Sequence, residues 1–153
     1  MEKTLVILKP SAIQRSLVGE VISRFERKGL QLTGTKMMQL DDKMLDIHYA
    51  HLKDKPFFQM VKDSMMSSPV IVQCWEGDNA ATVVRKLIGC TNGQEAQAGT
   101  IRGDFSVSAQ ENIVHASDSA QSAEIELNRF FKDGEIFGRK SPVLPVLYSE
   151  DEF

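Results

Sequence analysis

Apolar residues along the chain follow two alternating periods, and the changes of period outline the elements. Residues 4–9 (Thr-Leu-Val-Ile-Leu-Lys) are β-branched or apolar at both parities, which predicts a central strand, and Pro10 ends it. From residue 16 the period becomes helical. Val18, Val21, Ile22 and Phe25 fall on one face, Gly29 supplies the stop, and Lys28 sits at the negative end of the helix dipole. Residues 30–40 read as a looser strand weakened by Gly34. Asp41 is placed to cap a short helix through about His48, and a second helix opening at Pro56 carries Phe57, Met60 and Val61. Residues 69–75 (Pro-Val-Ile-Val-Gln-Cys-Trp) form the clearest strand, and Asn79 is placed to cap a helix closed by Gly89. Residues 90–111 show no sustained period; an unpatterned stretch of that length inside a compact domain points to function. Residues 112–116 are a last short strand. Asp118 or Ser119 caps a helix with Ala123, Leu127, Phe130 and Phe131 on its core face. From Gly134 onward, with Pro142 and Pro145, the pattern is that of an extended arm.

The resulting order, β-α-β-(αα)-β-α-β-α, predicts an α+β fold: a ferredoxin-like split βαβ sandwich whose four-stranded antiparallel sheet is covered by helices. A flavodoxin-like sheet would need more parallel strands than the pattern supplies. No repeat or boundary interrupts the 153 residues, so residues 1–153 are expected to be one domain, with 134–153 as a C-terminal arm.

Composition narrows the partners. With 42% hydrophobic and 25% charged residues the chain can build one buried core. A net charge of −3 and a pI near 5.6 disfavour non-specific attraction to nucleic acid or anionic lipid. An anionic ligand must therefore be held by a local group of cations. Cys74 and Cys90 form no Cys-x-x-Cys pair, and a reducing compartment is expected. The apolar run at 5–8 is too short for a signal segment, and nothing approaches the roughly 18 apolar residues of a membrane span. A cytoplasmic protein without a membrane partner is expected.

Several motifs fail on inspection. Residues 29–36 come close to a phosphate-binding loop but end Thr-Lys, in a segment patterned as a strand. His48 and His51 have a spacing that could serve a metal, yet no third ligand cluster accompanies them; surface or half-buried roles fit better, and no residue is assigned to metal. Arg102-Gly103-Asp104 matches an adhesion tripeptide that an intracellular chain has no use for. Phosphate chemistry without a phosphate-binding loop needs cations and hydroxyls instead, since the transfer is mostly positioning and charge stabilisation. Lys9, Arg85, Thr91 and Arg102 stand at element ends or in the unpatterned stretch. Each alone reads as a solvated surface residue. His115 differs in kind: a neutral imidazole is a competent nucleophile toward phosphorus when an acceptor holds its other nitrogen. The following helix offers Glu124 and Glu126, and helical phase does not choose between them. The alternative is a satisfied histidine at a strand end.

Residues 112–119, NIVHASDS, resemble the active-site signature of the nucleoside diphosphate kinases, Asn-x-x-His-Gly/Ala-Ser-Asp. The stretches TLVILKPSAIQRSLVGEVISRFERKG, HYAHLKDKPFF, GCTNG, GTIRGDF and SAEIEL also resemble that family in order and spacing, so the likeness covers nearly the whole chain. It implies ping-pong transfer of the γ-phosphate of a nucleoside triphosphate to a nucleoside diphosphate, through a phosphohistidine on Nδ1 of His115. By the same resemblance Glu126 would hold the other ring nitrogen and Ser117 would bond to Glu126. Lys9, Tyr49, Arg85, Thr91 and Arg102 would hold phosphates, and Asn112 would contact the sugar. Phe57 would stack on the base, a contact that tolerates any base. Magnesium would be held mainly by phosphates and water, and the chain would form a tetramer or a hexamer. Three departures stand out. Ser11 occupies the position of a common carboxylate, Gly93 replaces a proline that stiffens the loop, and Ala109 gives the base less to grip. Two rival readings find less support. An RNA-binding sheet would need an aromatic strand and a basic face, and a scaffold would be expected to have lost His115 or a cation.

Overall fold

The first strand is apolar at both parities because helices cover both faces of its sheet. The computed structural model describes residues 1–138 and 140–152. Strands β1 (Glu2–Leu8), β2 (Gln31–Met38), β3 (Val70–Gly77) and β4 (Val114–Ala116) lie in the order β2-β3-β1-β4, and every pairing is antiparallel. Eight α-helices join them in the described residues: α1 (Pro10–Gln14), α2 (Val18–Arg27), α3 (Asp42–His48), α4 (Phe58–Met66), α5 (Ala80–Ile88), α6 (Ile101–Phe105), α7 (Ala120–Phe130) and α8 (Leu144–Leu147). Helix α2 carries the chain from β1 past β3 to β2, and α5 lies on the path from β3 past β1 to β4. These are two split βαβ units, the ferredoxin-like arrangement expected from the pattern.

The sheet divides the core into two layers. Val6 and Leu8 pack with Val21, Phe25, Val84 and Ile101. Leu5 and Ile7 pack on the opposite side with Leu45, Met65, Leu127 and Phe130. Burial of each such side chain contributes about 1.5–3 kcal/mol. The alternation continues on β4: Val114 and Ala116 belong to the first layer, whereas His115, paired with Ile7, turns toward α3 and α7.

Local signals held where partner and element are close in sequence. Asp41 caps α3, its carboxylate accepting from Met44 N at 2.8 Å, and Ser119 rather than Asp118 caps α7. Gly29 has φ +100° just past α2, a conformation that a side chain resists. Asn79 stands at the start of α5 but does not cap it: its φ is 49° and its side chain turns to Asp78. The cap comes from Glu2 on β1, whose Oε1 accepts from Ala81 N at 2.6 Å. Pro10 opens α1 as well as ending β1, and Gly34 marks a bulge in β2. Beyond Gly134 the chain lies back on itself, with Phe137 N donating to Thr33 O at 2.8 Å and Tyr148 Oη accepting from Asp78 N at 3.3 Å. No helix among the described residues is long and apolar enough to cross a membrane.

Candidate active site

A strained turn starts the site. Ile113 is fully buried with φ +74°, and Val114 N donates to Asn112 O at 2.8 Å, closing a three-residue turn. A β-branched residue in this region costs on the order of 1–3 kcal/mol and persists only where its surroundings hold it. Lys9 Nζ donates to Asn112 Oδ1 at 2.7 Å, and both amide hydrogens of Asn112 are engaged, by Thr91 O at 2.9 Å and Ala109 O at 2.8 Å. Arg102 donates to Asn112 O, Gly89 O and Val114 O at 3.2, 3.2 and 2.6 Å, tying the 90–111 stretch to β4. That stretch is not slack at Gly93. Its N–H donates to Ser108 O at 3.1 Å, and a Cβ there would lie 2.4 Å from Ser106 O.

These contacts frame a cavity of about 360 Å³. Lys9, Tyr49, Phe57, Arg85, Thr91, Arg102, Asn112 and His115 all line it, so eight of the ten residues singled out from the sequence meet in one place. Ala109 lines it together with Phe57. Ser64, on α4, donates to Glu111 and joins the helical pair to the far rim. A larger, more open depression along α5, about 920 Å³, shares only Arg85 with those ten residues.

The remaining two residues lie behind His115. Glu126 accepts from its Nε2 at 3.3 Å and from the Ser117 hydroxyl, whereas Glu124 lines a separate cavity beside Met1 and Glu2. Burial alone would push the Glu126 carboxyl up; hydrogen bonds from His115 and Ser117 and the nearby His115 charge outweigh it and bring the pKa to about 2. An ionised Glu126 obliges His115 to keep its proton on Nε2 and leaves Nδ1 a free lone pair. Burial first, then Arg102, pull Lys9 down to about 8 against the opposing pull of Glu111. Burial and Arg85 lower Arg102 to about 10. Burial and the Glu126 charge push the Tyr49 phenol well up, so it stays a neutral donor.

The spacing of His48 and His51 predicts a surface or half-buried role for His48. The fold instead buries it against His115, ring centroids 4.6 Å apart. A nitrogen of His48, a nitrogen of His115 and an oxygen of Glu126 lie within 4.8 Å of one another. Nothing in the sequence spacing links these three; the only signal was that His48 directly precedes Tyr49. Chemically, the arrangement is an imidazole with one uncommitted ring nitrogen at the edge of a cavity that offers three cations and a half-buried aromatic ring.

That fold and cavity define a phosphate-handling protein, and comparison with known proteins gives the family. The sequence profile of the nucleoside diphosphate kinases matches residues 2–136. A nucleoside diphosphate kinase of Parabacteroides distasonis is 63% identical over 153 residues, 100% of both chains, and one of Archaeoglobus fulgidus is 52% identical over 150 residues, 98% of this chain and 99% of the other. Among solved structures, a halophilic nucleoside diphosphate kinase from Halobacterium salinarum in complex with CDP superposes with a TM-score of 0.94 at 38% identity, covering 96% of this chain and 98% of that one. A nucleoside diphosphate kinase family protein from Babesia bovis gives 0.92 at 40% identity, covering 97% of this chain and 100% of that one. The chain belongs to the nucleoside diphosphate kinase family and is an enzyme, a phosphotransferase.

Proposed function

We propose that the enzyme moves the γ-phosphate of a nucleoside triphosphate to a nucleoside diphosphate in two half-reactions, with His115 carrying the group between them. The observation that supports this most is the His115–Glu126 contact at 3.3 Å, which commits Nε2 and leaves Nδ1 to attack. In the first half-reaction the Nδ1–P bond forms, the bond from the γ-phosphorus to the bridging oxygen breaks, and the nucleoside diphosphate leaves with those electrons. The second half-reaction reverses these events onto the terminal phosphate oxygen of a new diphosphate. Donor and acceptor use one cavity in turn, which gives ping-pong kinetics.

Lys9, Arg85 and Arg102 supply positive charge to the phosphates, and Tyr49 and Thr91 supply hydroxyls. Phe57 offers its ring to the base. Asn112 has spent both amide hydrogens and one lone pair of its oxygen on Lys9, so the second lone pair remains to accept from a sugar hydroxyl. Among the described residues, none lining the cavity is a carboxylate, and the nitrogen-rich His48–His115–Glu126 group does not suit a hard cation. Magnesium therefore fits as an ion carried in by the phosphates, where it neutralises part of their charge. The CDP bound by the Halobacterium salinarum relative agrees with a nucleotide in this cavity.

The setting we infer is cytoplasmic, in keeping with the free thiols of Cys74 and Cys90, and the chain is read as a homo-oligomer, tetramer or hexamer. The central test is labelling with γ-labelled ATP. The parent protein is expected to take up label through an acid-labile, base-stable bond, and His115→Ala to take up none. Label retained by the variant would remove His115 from the reaction.

A further inference from the structure

His48 closes α3 and is 6% exposed, and its ring stands edge-on to that of His115, with 79° between the planes. Arg129, on α7, places Nη1 3.0 Å from His48 Nδ1. His48 Nε2 is buried and has no hydrogen-bond partner among the described residues. A guanidinium only donates, so Nδ1 must be the bare acceptor and a neutral His48 must carry its proton on Nε2. We propose that Arg129 is a positioning residue for phosphoryl transfer: it fixes His48 as the uncharged Nε2–H tautomer, and His48 in turn braces the ring of His115. The proposal rests on the reading of His115 as the residue that is phosphorylated.

The surroundings of His48 explain why charge and tautomer matter. It is faced by His115 from β4, by Glu126 and Arg129 from α7, and by His51 from the turn that follows α3. The rings of Tyr49 and Phe130 pack edge-on to it at 4.7 and 5.2 Å. Burial first, then His115 and Arg129, pull its pKa down to about 3, with only Glu126 opposing. An uncharged neighbour lets His115 gain positive character as Nδ1 attacks, with Glu126 as the counter-charge in contact. A protonated His48 in ring contact would repel that charge. The other neutral tautomer would exchange a donor for an acceptor within a group whose atoms lie 4.8 Å apart or less. Arg129 disfavours both, adding to burial against the charged form and blocking the other tautomer through its hydrogen bond.

The test compares Arg129→Met and Arg129→Lys with the parent, following the single-turnover rate of His115 labelling by ATP across pH and the His48 ring nitrogens by ¹⁵N NMR. Arg129→Met keeps an unbranched stem but loses charge and donor. It is expected to label about tenfold more slowly, below the roughly hundredfold that a 1 Å misplacement can cost. Its acid limb should move to higher pH, because one of the charges that add to burial in keeping His48 unprotonated is gone. Arg129→Lys retains charge and donor and should restore most of the rate and the parental limb. The parent should show His48 protonated on Nε2, and Arg129→Met a mixture of tautomers. Met and Lys variants alike in rate and limb, or a parent with His48 protonated on Nδ1, would overturn the proposal. A parent that takes no label at His115 would instead refute the phosphohistidine reading, and with it any catalytic role for the pair.

Discussion

Lys9 carries a positive charge beside Asn112, and burial loosens its proton. Its pKa is lowered from 10.5 to about 8, so between those values the free enzyme lacks a proton that the unfolded chain holds. The unfolded state binds more protons there, so this group opposes folding below about 8 and the opposition fades as pH rises through 10.5. An arriving phosphate favours the charged form. Binding a nucleoside diphosphate at about pH 8.5 should therefore take up a fraction of a proton. Titration calorimetry in buffers of different ionisation heat should show this uptake in the parent and not in Lys9→Met; equal enthalpies in every buffer would contradict it. Glu126 has the opposite sign. Its stabilising contribution is present above 4.5 and is lost as pH falls toward about 2. In Glu126→Gln the stability deficit relative to the parent should shrink over that window in chemical denaturation, and phosphorylation of His115 should slow at neutral pH. At this scale the cations were legible because they stand at element ends, whereas Glu124 and Glu126 were equivalent by helical phase. His48 was misjudged because its partners come from β4 and α7, far along the chain from its sequence neighbour His51.

Elements with their own period, such as α2, α5 and α7, were readable from single faces of apolar residues. Helix α6 was not, because five residues cannot show a helical repeat; its start is set by Thr100, whose hydroxyl accepts from Gly103 N at 3.0 Å. The pattern offers Asn79 as the cap of α5, but the acceptor is Glu2, which the β1–β3 pairing brings near. Glu2→Ala should lower stability by about 1 kcal/mol through the loss of that cap, read as a shift of the urea midpoint with an unchanged slope. Gly93 was expected to loosen the loop in place of a proline common in the family. Its hydrogen bond to Ser108 and its packing on Ser106 make it a fixed point instead. Gly93→Pro would lose the donor and force an overlap, so it should destabilise by about 2 kcal/mol or more; an unchanged midpoint would contradict this packing.

For the molecule as a whole, two βαβ units in sequence left few ways to order four strands, and the antiparallel sheet was legible for that reason. The resemblance then covered nearly the full length. Which surfaces stay bare was not legible, because a strand edge or a tail residue has the same pattern whether solvent or another subunit covers it. Met37 on the edge strand β2 and Phe137 after α7 are 61% and 68% exposed, apolar side chains of the kind a neighbouring subunit covers in the oligomer proposed above. Sedimentation should therefore give a mass four or six times 17.1 kDa, and a particle of 17.1 kDa would contradict the oligomer reading. The two-layered core has a further consequence, for how the enzyme tolerates variation. A trimmed side chain at Val21 or Phe25 slackens the layer on the side of the sheet away from the His115 ring, and its harm appears as earlier melting of molecules that turn over normally while folded. The same change at Leu45 or Phe130 slackens the layer against which His48 rests, and slow molecules accumulate before any unfold. One side of the sheet should thus accept inherited replacements that the other rejects.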